Sequence, residues 1–157
     1  FPTRVLPWRE WFRAALFPAR PVLAGHPGTA RWLLLHGPAF PAMIPVVDAG
    51  IASLQRAGFG ADTAKTYAAL FNTALMTIAS ADDRAAHTRS AGRDHEALMD
   101  EFEALGRESP GISLLTRDLA GRLTGSAESA ASVQDEYYRF VLERLMDGLE
   151  GLTTSQR

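Results

Sequence analysis

A polar stretch around residues 87–100 holds the side chains best suited to acid–base or metal chemistry. His87, Asp94, His95, Glu96 and Asp100 lie close together there. A zinc hydrolase of the H-E-x-x-H type needs two histidines four residues apart on one helix, with a glutamate beside the first. The spacing here matches no such motif. We therefore predict a solvated polar segment and no metal site.

The chain also lacks the groups that nucleophilic catalysis requires. It has no cysteine, which excludes both disulfides and thiolate chemistry. Neither a G-x-S-x-G turn nor a glycine-rich phosphate loop occurs, and the serines have no adjacent base. We predict no catalytic residue, no enzymatic activity and no cofactor.

The composition favours helices over strands. Alanine (26 residues) and leucine (19) dominate the 157-residue chain, whereas valine and isoleucine together number ten. Because β-branched residues are the usual strand material, we predict an all-α protein. The formal charge of −2 gives no electrostatic reason to bind a polyanion. No basic-then-apolar signal sequence is present, so we expect a cytoplasmic protein.

Apolar periodicity and proline or glycine breaks divide the first half of the chain. A helix should begin at Trp8 and be kinked or ended by Pro18 and Pro21. A short helix from Thr29 follows, and then the proline-rich stretch 37–45. The next helix should begin around Pro45 and end at Gly58.

In the second half we predict a polar loop over 80–93, mobile or disordered, because it is poor in aliphatic residues. Amphipathic spacing then indicates a helix over 94–106 and a shorter one over 114–123. Small residues over 124–132 indicate a linker before the last helix, which should begin near Ser132.

The stretch from Thr66 to Ala81 contains no charged residue. It follows a helix start at Asp62 or Thr63, and a helix without a polar stripe must be covered on more than one side. It is too short to span a bilayer, which takes about 20 apolar residues. We predict that a second copy of the chain covers it.

The last helix has an apolar arc of about 240° at 100° per residue, wider than one packing face needs. It can pack on its own core and still offer a face to a partner. We therefore predict a homodimer with a four-helix interface, built from helices 62–79 and 132–150 of both copies. The predicted interface residues are Leu70, Thr73, Ala74, Thr77, Tyr138, Val141, Leu142, Leu145 and Leu149.

The order of these elements resembles a known family. A Trp-rich helix, the His26-Pro27 break, a proline-rich turn and the segment Leu54-Gln55-Arg56-Ala57-Gly58-Phe59 precede the apolar helix. The chain closes with Phe140-x-x-x-x-Leu145-Met146-Asp147-Gly148-Leu149. This resembles the C-terminal ligand-binding and dimerisation domain of the TetR family of bacterial transcription regulators, over residues 8–152. The sequence departs from that pattern at Pro18, Pro21 and Gly28.

The resemblance implies a role in transcription. Residues 1–7 would be a connector from an upstream helix-turn-helix head that this chain does not contain, and residues 153–157 a C-terminal tail. The dimer would bind operator DNA through those heads, as a repressor. A small hydrophobic effector in this domain would release the DNA.

The resemblance also implies a ligand pocket between the helices, with His36 and Asn72 as polar anchors. We expect Asn72 to be buried and to need a partner. Each of these side chains has an alternative role in core packing. The predicted lining is Trp11, Ala15, Trp32, His36, Phe40, Met43, Val47, Phe71, Asn72 and Leu75.

Two other functions remain open from sequence. One is a stand-alone helical carrier for a hydrophobic molecule, and the other is a structural dimer whose pocket has collapsed. Membrane association is not expected, because the few arginines and tryptophans near the start are too dispersed for an amphipathic anchor.

Overall fold

A computed structural model describes residues 1–38, 40–115 and 127–154 of the chain. Every regular element among these residues is helical, which confirms the all-α prediction. The helices are α1 (Trp8–Ala24), α2 (Thr29–His36), α3 (Ile44–Ala57), α4 (Thr63–Glu108), α5 (Pro110–Leu115) and α6 (Ala127–Thr154). Short 3₁₀ turns at Pro41–Met43 and Gly60–Asp62 precede α3 and α4.

The chain forms two compact units. The first comprises Phe1–Asp82 and Tyr138–Arg157, and the second comprises Asp83–Tyr137. The first unit holds all of the buried apolar side chains described below. The second unit exposes Phe102, Leu105 and Leu114 on its described helices.

Helix α1 continues through both of its prolines and ends only at Ala24. The prediction that Pro18 or Pro21 would end it is wrong. Both prolines are exposed, so the helical hydrogen bonds that they cannot donate are missing at exposed positions and not in the core. Helix α1 buries Trp11 and Phe12 completely.

The segment between α3 and α4 forms as its residues predict. Gly58 ends α3 in the left-handed region (φ 91°), which glycine adopts without strain. Phe59 then turns into the core, where its ring lies 5.2 Å from that of Trp8. Thr63 begins α4 and donates a hydrogen bond from its hydroxyl to the Gly60 carbonyl (2.8 Å).

Helix α4 runs without a break from Thr63 to Glu108. The predicted loop over 80–93 is therefore wrong. The stretch is polar, but it is rich in alanine and arginine, which are good helix formers, and it has no proline. Polarity on all sides here reflects an exposed helix surface rather than a loop, because residues 83–87 are all exposed.

The elements after α4 also differ from the prediction. Helix α4 ends at Glu108 and Pro110 begins α5, where the Ser109 side-chain oxygen accepts a hydrogen bond from the Ile112 amide (3.4 Å). Helix α6 begins at Ala127, inside the predicted linker. The predicted helix over 114–123 lies outside the described residues beyond Leu115.

Helices α1 and α6 pack antiparallel in the first unit. Tyr138 donates its hydroxyl to the Leu16 carbonyl (2.9 Å), and the Arg139 guanidinium lies 4.8 Å from the Phe17 ring centre. One turn towards the start of α1, Arg13 binds Glu143 through two hydrogen bonds of 2.7 Å. Because the two helices run antiparallel, successive turns of α1 contact successive turns of α6.

Candidate ligand cavity

A cavity of about 710 Å³ lies between α1, α2, the turn after α2 and the first four turns of α4. This volume is within the range of about 300–1,000 Å³ typical of small-molecule sites. Helix α1 contributes Ala14, Ala15, Leu16, Pro18, Ala19, Val22 and Leu23, and α4 contributes Tyr67, Ala68, Phe71, Asn72, Ala74, Leu75 and Ile78. The remaining lining residues are Phe1, Thr29, Trp32, Leu33, Leu34, Gly37, Pro38, Phe40, Met43 and Tyr138.

Helices α1 and α4 run in the same direction along the two sides of this cavity. At one end the Trp11 ring lies 6.3 Å from the Tyr67 ring and 6.4 Å from the Phe71 ring. Beyond the other end, the Gly28 amide donates to the Asp82 carboxylate (3.1 Å). Gly28 is the N-cap residue of α2 and has no side chain of its own to cap the helix. The Asp82 carboxylate therefore caps the start of α2 through this hydrogen bond. The cavity is therefore an elongated slot.

The slot has a buried floor and an exposed rim. Leu16, Ala74, Ile78 and Tyr138 are each at most 3% exposed and form the floor. Side chains on the rim are accessible to solvent and are Ala14, Pro18, Val22, Trp32, Phe40, Ala68 and Asn72. A ligand can therefore enter from the side without the core opening.

No lining side chain carries a formal charge at neutral pH. The polar ones are Thr29, Asn72, Tyr67 and Tyr138, and the Tyr138 hydroxyl is already bonded to the Leu16 carbonyl. Burial raises the pKa of the Tyr67 phenol above its ordinary value, so this side chain stays neutral. The slot offers apolar contact and very few polar groups.

Seven of the ten residues predicted for the pocket line this slot: Ala15, Trp32, Phe40, Met43, Phe71, Asn72 and Leu75. Trp11 is completely buried behind the wall, where it packs on Phe12 (4.9 Å between ring centres). Val47 packs against the core rather than the slot. Both belong to the core, where α3 packs against α1.

The two predicted polar anchors are placed differently. Asn72 lies on the exposed rim, so the expectation that it is buried is wrong. His36 is exposed and does not line the slot. Its ring stacks on that of Trp32 (4.7 Å), and its Nδ1 lies 2.9 Å from the Trp32 carbonyl oxygen. His36 therefore supports a wall residue instead of facing a ligand.

Sequence reasoning missed most of the α1 wall. Ala14, Pro18 and Val22 are spaced four residues apart, so they share one side of the helix. The periodicity was visible in the sequence, but the prolines suggested that the helix ended before this side was complete. The small side chains Ala14, Ala19 and Ala68 leave the space that the slot occupies.

The predicted interface residues fall into two groups. Leu70, Ala74, Tyr138 and Leu142 are at most 2% exposed within their own chain. They fill the core where α4 and α6 meet the α1 side chains, which leaves them no surface for a partner. Thr73, Thr77, Val141, Leu145 and Leu149 are half-buried and lie beside that core. Helical spacing alone does not separate these two adjoining faces.

Among the described residues, each of the two helices also has an uncharged flank of exposed and half-buried side chains. On α4 it holds Met76, which is 59% exposed, next to Thr73 and Thr77. On α6 it holds Val141, Leu145 and Leu152. We call these residues, with Ala69, Ser80 and Gly148, the uncharged flanks of α4 and α6. The flank of α4 lies on the side of that helix away from the slot.

The opposite flank of α6 is charged and binds α1. Arg9 forms ion pairs with Asp147 and with Glu150, the latter at 2.8 Å. The Arg13–Glu143 hydrogen bonds lower the pKa of Glu143, although partial burial opposes the effect. α1 is thus held to α6 by this row of ion pairs while its other side lines the slot.

The described residues hold neither a candidate metal cluster nor a single helix that could cross a bilayer. No three histidine, aspartate or glutamate side chains come together there as a candidate metal site. No single described helix combines the length and hydropathy needed to cross a bilayer. The segments Thr29–His36 and Pro41–Ala57 would together be long and apolar enough to cross a bilayer, by length and composition only, but they are bent by 88° relative to each other.

No protein-family model, no curated protein and no solved structure matches the chain.

Proposed function

We propose that this chain is the effector-binding and dimerisation domain of a TetR-like transcriptional regulator, and that the slot between α1 and α4 binds a small hydrophobic effector. The single observation that carries the proposal is the slot itself. A domain of this size would normally fill a space of 710 Å³ with side chains, since protein cores are close-packed. An uncharged space of that volume with an accessible rim is typical of a small-molecule site.

The arrangement of α1 supports a regulatory role. The same helix lines the slot through Ala14, Pro18 and Val22 and is held to α6 through Arg9 and Arg13. A ligand that displaces α1 would therefore act on α6 as well. By linkage, the ligand can shift the domain between two conformations only by the difference in its affinity for them.

In this proposal two copies pair through the uncharged flanks of α4 and α6. Pairing fixes the separation of two upstream DNA-binding heads. Two recognition helices read one palindromic operator only when they lie about 34–36 Å apart, one turn of DNA. An effector-bound conformation with another separation would release the operator, so the protein acts as a repressor.

Ligand binding is tested with N-phenyl-1-naphthylamine, a neutral apolar probe that fluoresces when it leaves water. We expect saturable binding and a higher melting temperature, because a ligand specific for the folded state adds about 2.7 kcal/mol at 100 times its Kd. Ala19→Trp fills the slot and should abolish both effects. Ala24→Trp, exposed on the same helix and outside the slot, is the matched control.

An unchanged signal in Ala19→Trp would show that the probe binds elsewhere and would remove the basis of the proposal. The regulatory part is tested with the product of the complete gene, by mobility shift on the DNA upstream of that gene. We expect a retarded complex that a slot ligand dissolves. A ligand that binds the slot and leaves DNA binding unaltered would instead indicate a carrier.

A further inference from the structure

Pro18 places a backbone hydrogen-bond acceptor in the wall of the slot. In an uninterrupted helix the amide of residue 18 would donate to the carbonyl of Ala14, but proline has no N–H. Ala14 and Pro18 both line the slot, and both are exposed residues. A carbonyl oxygen that lacks its helical donor favours a ligand that brings one.

The charge of the lining restricts the ligand further. No lysine, arginine or histidine lines the slot to pair with a carboxylate or phosphate, and no acidic residue lines it to pair with an amine. Burying an unpaired charge in such surroundings is costly. The donor on the ligand therefore belongs to a neutral group, and a hydroxyl is the simplest one.

The shape of the slot sets the length of the ligand. Its α1 wall extends from Ala14 to Leu23 and its α4 wall from Tyr67 to Ile78. At 1.5 Å per residue these walls are about 14 and 16 Å long. An extended alkyl chain with C–C bonds of about 1.5 Å advances about 1.3 Å per carbon, so the slot accommodates about 11 carbons.

We propose, resting on the function proposed above, that the slot selects a neutral long-chain alcohol. The hydroxyl donates to the Ala14 carbonyl at the Phe71 end of the slot. The aliphatic chain, about ten to twelve carbons long, lies between α1 and α4 and reaches towards Ile78. The small side chains of Ala19 and Ala74 leave room for the chain along this path.

Chain length is tested by displacement of N-phenyl-1-naphthylamine with 1-alkanols from hexanol to hexadecanol. Each added methylene that enters the slot should raise affinity about fourfold, which corresponds to about 0.8 kcal/mol. The rise should stop at about 11 or 12 carbons, where the chain reaches the end of the walls. A rise that continues to hexadecanol, or no rise at all, overturns the inference.

The donor is tested by comparing three probes with equal alkyl chains: 1-dodecanol, dodecyl methyl ether and dodecanoate. The alcohol should bind about fivefold more tightly than the ether, because it donates one neutral hydrogen bond that the ether cannot donate. Dodecanoate at pH 8 should bind more weakly than the alcohol, because no lining side chain carries a positive charge to pair with it. Equal affinity of alcohol and ether, or tighter binding of dodecanoate, contradicts the proposal.

The variant Pro18→Ala supplies the missing amide and so occupies the Ala14 carbonyl within the helix. It should remove the preference for alcohol over ether while the slot still binds the probe. Pro21→Ala makes the same change one turn later in α1, outside the slot, and should keep the preference. Retention of the preference in Pro18→Ala would show that the hydroxyl binds another group, which overturns the assignment.

These results also separate this inference from the function on which it rests. If N-phenyl-1-naphthylamine does not bind the wild-type protein, the proposed function fails. If it binds and is released by alcohols and ethers alike, the slot is a hydrophobic site without the selectivity inferred here. Only the second result would leave the proposed function standing.

Discussion

Gly50 of α3 lies so close to Tyr67 of α4 that a β-carbon on Gly50 would stand 2.7 Å from the Tyr67 Cε2 atom. The same β-carbon would lie 2.7 Å from Cη2 of Trp11. Gly50 therefore allows α3 to approach the rings behind the slot wall. Any side chain here must displace two large aromatic groups.

Gly50→Ala should lower the free energy of unfolding by about 1–3 kcal/mol, the usual cost of overpacking a core. Urea unfolding measures it. Gly151→Ala, with open space around the added carbon, is the control and should stabilise α6 by about 0.5–1 kcal/mol. If both variants unfold at the same urea concentration, the close approach at Gly50 is not present in solution.

Tyr67→Phe should leave the protein as stable as the wild type, or make it more stable by about 1 kcal/mol. The Tyr67 hydroxyl is buried and has no hydrogen-bond partner among the described residues, and an unsatisfied buried polar group costs about 1–3 kcal/mol. Tyr138→Phe should have the opposite effect, a loss of about 1 kcal/mol, because the Tyr138 hydroxyl is bonded to the Leu16 carbonyl. The melting temperatures of both variants, compared with that of the wild type, test this prediction. A lower melting temperature for Tyr67→Phe would contradict it.

The Arg13–Glu143 pair should stabilise the fold in a pH-dependent way. Its hydrogen bonds lower the pKa of Glu143 in the folded state, so the unfolded chain binds a proton more readily. The stabilisation is therefore complete above an unfolded pKa of about 4.3 and is lost as the pH falls through the lowered folded value.

The test compares wild type with Glu143→Gln in urea at pH 7, 5 and 3. We expect the free energy of unfolding of the wild type to exceed that of Glu143→Gln by about 1 kcal/mol or less, since both side chains are partly exposed. This difference should be smallest at pH 3. Glu101→Gln, at an exposed position of α4, controls for the general effect of removing a carboxylate. If the difference in free energy of unfolding between the two proteins increased towards pH 3, the Arg13–Glu143 pair would not stabilise the fold in the way described.

Met76→Arg should convert the dimer proposed here into a folded monomer. Met76 is 59% exposed on the uncharged flank of α4, so arginine is tolerated by the single chain but would be buried in the interface. Leu35→Arg, at a side chain 73% exposed on α2, is the matched control and should remain dimeric. Sedimentation velocity with circular dichroism distinguishes dissociation from unfolding.

A wild-type protein that sediments as a monomer at micromolar concentration would remove the dimer from the proposal. Leu70→Arg is expected to behave differently from Met76→Arg. Because Leu70 is completely buried in its own chain, this variant should unfold rather than dissociate.

Local chemistry made part of the fold predictable from sequence. The left-handed glycine at Gly58 and the start of α4 at Thr63 depend on neighbours within a few residues. The lining residues Phe71 and Leu75 follow from helical spacing in an uncharged segment. These features need no knowledge of how the helices pack.

Other features depend on which faces meet, and the sequence does not specify that. Leu70 was expected at a subunit interface because it shares a side of α4 with Thr73, yet it packs into the core of its own chain. The α1 wall was missed because Pro18 normally ends a helix, whereas here it lies on an exposed side where the lost donor is tolerated. The polarity of residues 80–93 predicts a mobile loop or disorder, but its alanines and arginines sustain a helix.

The central claim is that the slot between α1 and α4 holds a hydrophobic molecule. A crystal structure of the chain grown with N-phenyl-1-naphthylamine tests it most directly. We predict one probe per chain, between Pro18 of α1 and Phe71 and Leu75 of α4, with the core unchanged. A slot closed by its own side chains, with the probe absent or bound at another surface, would contradict the claim.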